Sequence, residues 1–63
     1  MAKRFQIMFK NSMMTDGVYE AVTPRGALDK MSQSHGHESW AAQCTSQGLS
    51  ETYEVIDDFR III

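Results

Sequence analysis

Two imidazoles, a carboxylate and a thiol fall close together in this chain: His35-Gly36-His37-Glu38, with Cys44 downstream. All four groups are competent zinc ligands, and a His-x-His pair in extended backbone can turn both rings to one side. Their spacing matches no closed four-ligand pattern, and the His-Glu-x-x-His helix signature is missing. The expectation is therefore a polar loop between helices, with Gly36 as a cap, both histidines solvated and no bound metal. Cys44 with a neighbouring histidine would act as nucleophile and base only with a depressed thiol pKa and a third group orienting the base. The sequence shows neither, and a small buried residue beside Trp40 is the plainer reading. No catalytic residue and no cofactor is expected.

A second constellation is acidic: Glu51, Glu54, Asp57 and Asp58. Paired carboxylates do acid–base work only inside a cleft, and a chain of 63 residues has little room for one. A calcium loop would need spaced oxygen ligands and a central glycine, which are absent. Two readings remain. One is a solvated strand edge whose charges discourage edge-to-edge pairing; the other is an acidic face that meets a basic protein surface. Met13-Met14, in a connection between strands, adds flexible thioethers suited to a contact surface. The candidate partner-binding residues are thus Glu51, Glu54, Asp57, Asp58, Met13 and Met14.

Charge is unevenly placed. Residues 1–31 carry five Lys/Arg against three Asp/Glu, a balance of +2, whereas residues 32–63 carry one against five, a balance of −4. Lys3, Arg4 and Lys10 are too few for a phosphate-binding stripe, so direct nucleic-acid binding through the basic first strand is the alternative rather than the leading expectation. No phosphate-cradling glycine loop, Gly-x-Ser-x-Gly or Cys-x-x-Cys occurs. The single cysteine excludes a disulfide within the chain and fits a reducing compartment. No apolar run approaches the roughly 20 residues of a membrane helix, and Met1-Ala-Lys-Arg is not followed by a signal-peptide core. A cytoplasmic protein with no membrane association is expected.

The elements that must position these groups follow from periodicity. Lys3–Lys10 alternates Phe5, Ile7 and Phe9 with Arg4, Gln6, Met8 and Lys10, the pattern of a strand with one buried face. Asn11-Ser12 and Asp16-Gly17 bracket a turn, after which Val18–Thr23 returns as a second strand of undecided inward face. Thr23-Pro24 marks a helix start, and Ala27, Leu28 and Met31 make an apolar stripe on a helix running to about Ser34. Arg25, Asp29, Lys30 and Gln33 are expected to face water. Residues 38–47 form a weaker helical segment, with Trp40, Ala41 and Cys44 inward and Gly48 closing it; a short strand there is the alternative. Thr52–Ile63 is the densest β-branched and aromatic stretch, read as two strand segments separated by Asp57-Asp58. The fold class is α+β: a small antiparallel sheet of three to four strands, one or two short helices on one face, in the order ββα(α)β(β), as a single domain over residues 1–63. The outer sheet face would expose Met8, Tyr19 and Ile62.

In size, acidity and layout the chain resembles the phage-encoded anti-CRISPR inhibitors, small proteins that bind a host nuclease complex, some of them imitating DNA with carboxylates. The resemblance is one of kind. It implies a non-enzymatic inhibitor whose partner is a host protein with a basic nucleic-acid-binding surface, met by Glu51, Glu54, Asp57 and Asp58. A metal- or thiol-dependent site at His35, His37, Glu38 and Cys44 is the third hypothesis. With Phe59–Ile63 at a sheet edge, an unpaired ladder would recruit a second strand, so a homodimer is also expected.

Overall fold

The alternation at the N-terminus becomes strand β1, Lys3–Met8, with Phe5 and Ile7 buried and Arg4, Gln6 and Met8 on the other side. The computed structural model describes every residue except Met1, Asn11, Met13 and Asp58. Antiparallel to β1 runs β2, Thr15–Ala21, which begins before Val18 because Asp16-Gly17 belongs to the strand. Ile7 lies opposite Gly17 and Met8 opposite Thr15, so Asp16 is the extra residue of a β-bulge. Gly17 has φ of +153°, a conformation that residues with a Cβ rarely adopt. The bulge re-aims Asp16, whose side chain is only 8% exposed. Tyr19 and Ala21 then face inward with Phe5, and Val18 and Glu20 face out. This corrects the expected place of Tyr19 on the open face.

Helix α1, Pro24–Ser34, starts as its sequence dictates: the Gly26 N–H donates to Thr23 Oγ1 at 3.1 Å. Gly26, a poor helix former, has a packing reason. A Cβ there would stand 3.3 Å from both Ala21 Cβ and Thr23 Oγ1, so the bare backbone lets the helix begin close against the end of β2. Ala27, Leu28 and Met31 form the buried stripe. Helix α2, Trp40–Gln47, is capped by Ser39, which accepts from Ala42 N–H, and ends at Gly48 with φ of +69°. Asp29, expected to face water, instead accepts the Trp40 N–H at 2.9 Å. It thereby hangs α2 on α1 and carries Trp40 and Cys44 into the core.

Strands β3, Glu54–Val55, and β4, Arg60–Ile62, close the chain as a hairpin. The sheet order is β2-β1-β4-β3. The α+β class and element order are as expected, but the sheet is mixed rather than antiparallel, because β1 and β4 run parallel. Hairpins reverse direction only between consecutive strands. β1 and β4 are separated by the rest of the chain, whose helical crossover allows parallel pairing. A second correction follows: β4 is interior, paired on both sides, so Phe59–Ile63 does not form a sheet edge. One cluster holds the core: Phe5, Ile7, Ala21 and Ile61 from the sheet, with Ala27, Leu28, Met31, Trp40 and Cys44 from the helices. No helix among the described residues is long and apolar enough to cross a membrane.

Candidate interaction surface

The imidazole–thiol constellation is taken apart by the fold. His35 caps the C-terminus of α1, and its Nε2 lies 2.7 Å from Asp16 Oδ2. A carboxylate can only accept, so Nε2 carries the proton. Asp16 Oδ1 accepts the Tyr19 hydroxyl at 2.6 Å, a bond that pushes the Tyr19 phenol up. The Ser34 hydroxyl, 3.2 Å from Tyr19, gives its proton to the Met31 carbonyl. An imidazole oriented by a carboxylate is part of a hydrolytic arrangement, but this network offers it no free nucleophile. It fastens the end of α1 to the β2 bulge instead. His35 and His37 both line a cavity of about 390 Å³, over Phe9, Met31 and Ile63. Cys44 lies in the core, and burial pushes its thiol up, with the charge of Glu51 adding to the effect. That is the opposite of what a nucleophile needs. Glu38 is exposed, its backbone carbonyl taking the Gln33 amide at 3.2 Å. Among the described residues no three ligand-type side chains stand close enough to hold a metal ion.

The acidic constellation is spread and partly balanced. Glu51 pairs with Arg25 on α1 at 2.8 Å; both side chains are half-exposed, and such a pair contributes only about 0–1 kcal/mol. Asp57 turns the β3–β4 hairpin. It accepts from the Phe59 N–H at 2.8 Å and the Arg60 N–H at 3.0 Å, and it meets the Arg60 guanidinium at 3.0 and 2.9 Å. These contacts, the Phe59 N–H foremost and the Arg60 side chain next, hold its carboxyl below the usual aspartate value. Glu54 stands exposed on β3, in no ion pair among the described residues. Asp58 lies outside the described residues, as does Met13; Met14 is well exposed between β1 and β2.

What the fold adds is an uncovered sheet margin. Helix α1 packs on β2 and β1, and α2 packs on α1; the helical layer covers Ile61 of β4 and leaves β3 and the turn before β4 exposed. Val55 pairs with the buried Ile61 yet is 46% exposed, and Phe59, in the turn just before β4, is 63% exposed. Tyr53 and Ile56 flank them, also exposed. Sequence reasoning missed Val55 and Phe59 as surface residues because strong strand formers read as core. The available signal was the poverty of the helices: Leu28, Met31 and Trp40 are their only large apolar residues within the core, too few to roof four strands.

Comparison with protein-family models, with curated proteins and with solved structures found no match.

Proposed function

We propose that the protein is a non-enzymatic recognition module that binds another protein through the β3–β4 half of its sheet. Val55 and Phe59 supply its apolar centre; Glu54 projects from the opposite face of β3, and Glu51 and Asp57 lie before β3 and in the β3–β4 turn. One observation carries the reading. Among the described residues four exposed large hydrophobics, Tyr53, Val55, Ile56 and Phe59, fall within seven consecutive positions in and beside the β3–β4 hairpin. A domain this small gains stability only by burial, so apolar surface left in water on this scale marks an interaction site. An apolar centre with a polar rim is the ordinary anatomy of a protein interface. Glu54, exposed and in no ion pair among the described residues, favours a partner with lysines and arginines around an apolar patch. A surface that normally binds nucleic acid has that character, and the proposed role is a phage- or mobile-element inhibitor of such a host protein.

The test uses tagged wild-type protein and two variants in affinity capture from the host. Phe59→Ala should lose the captured partner, while Val22→Ala, at an exposed position beyond β2, should keep it. The captured complex should then bind DNA more weakly as the protein is added. Equal capture by both variants removes the surface from the reading. Unimpaired DNA binding at saturating protein removes the inhibitory role.

A further inference from the structure

The two edges of the sheet are not equivalent. At β2 the Lys30 ammonium donates to the Glu20 carbonyl, and a bulge distorts the strand at Asp16. A lysine and a bulge guard that edge against strand addition; at β3 the guards are its length of two residues and the charge of Glu54, which repels an acidic strand but not a basic one. At β3 the Ile56 N–H donates inward to the Arg60 carbonyl at 3.0 Å. Because backbone groups alternate sides along a strand, those of Tyr53 and Val55 point to the open edge. No backbone or side-chain partner meets them there among the described residues. The edge therefore presents donors and acceptors beside exposed apolar side chains.

The geometry points to strand addition at β3: an extended segment of a partner protein pairs with Tyr53 and Val55 as a fifth strand, its side chains alternating apolar and basic. This rests on the recognition reading above and names its mode. Alternation follows from the pleat, since residues beside Val55 share its apolar face and residues beside Glu54 share the opposite one. Glu54 asks for a lysine or arginine as its neighbour. A second copy of this chain fits less well, because its β3 would bring a second Glu54 to the edge in place of a basic neighbour. Main-chain pairing supplies affinity in such complexes and the alternate side chains supply selection.

The probe is a short synthetic peptide alternating lysine and valine, titrated into isotopically labelled full-length protein. Shifts should concentrate at Tyr53 and Val55, and their amides should become protected from exchange. Backbone N-methylation of alternate peptide residues should weaken binding about tenfold, the loss expected from one or two hydrogen bonds. A glutamate–valine peptide should bind more weakly still. Shifts centred on β2, equal affinity for the N-methylated peptide, equal affinity for the acidic peptide, or no binding at millimolar peptide would each overturn strand addition. The recognition reading is judged separately, by whether Phe59→Ala loses the captured partner. A failed peptide with that loss intact sinks only the mode.

Discussion

Ile61, Ile62 and Ile63 are chemically identical neighbours that the sheet treats differently, and their valine variants test the register directly. Ile61 is fully buried on β4 opposite Ile7, while Ile62 lies on the other face and is half-buried. Ile61→Val removes one buried methylene group, at a cost of about 0.5–1.5 kcal/mol. A domain of this length holds roughly 3–9 kcal/mol in total. The change is therefore a large share of stability and lowers Tm by about 4–8 °C for each kcal/mol. Ile62→Val falls on a partly solvated face and should cost under about 0.5 kcal/mol. Trp40, the single tryptophan and 5% exposed, reports unfolding in urea. Equal slopes for the two variants and wild type would show that only stability has changed. A loss for Ile62→Val equal to or above that for Ile61→Val would refute the arrangement, because a slip of one residue exchanges the two faces.

The remaining expectations concern the hairpin turn and the thiol. The Asp57 carboxyl is held below its ordinary value of 3.8, so the ionised form is the one the fold favours. Its stabilising contribution is present above that pH and is lost as pH falls through the depressed value. Asp57→Asn should be less stable than wild type at neutral pH, with the gap closing in acid; a gap constant across acid and neutral melts would contradict the turn described. Cys44 should resist alkylation in the native protein at mildly alkaline pH and react at the rate of chain opening when urea is added. Fast native labelling would place the thiol at the surface.

Much of the fold was legible because its signals are local. Thr23-Pro24, the spacing of Ala27, Leu28 and Met31, and Gly48 at the end of α2 act within a few residues of one another; α1 formed where these placed it, and α2 ended at Gly48 but began at Trp40 rather than at residue 38. Asp16-Gly17 misled for a physical reason: the pair that favours turns also favours bulges, and only the pairing with β1 distinguishes them. Tyr19 was expected on the open face and proved to face inward, because alternation identifies two faces without saying which is roofed. The candidate site was less legible. Cys44 and the histidines are near in sequence, but the helix cap sends His35 to Asp16 and the helix turns Cys44 into the core. Glu51 found Arg25 across 26 residues, a pairing that no local pattern encodes.

Composition and periodicity by themselves determined the element order, the α+β class, the lack of an internal disulfide and the acidic second half, because propensity, capping and charge depend on neighbours along the chain. Strand order, the parallel seam between β1 and β4, and the identity of the open edge were decided only in three dimensions. Each depends on which distant surfaces meet, and the two short helices cover one side of the sheet and leave Val55 and Phe59 in water.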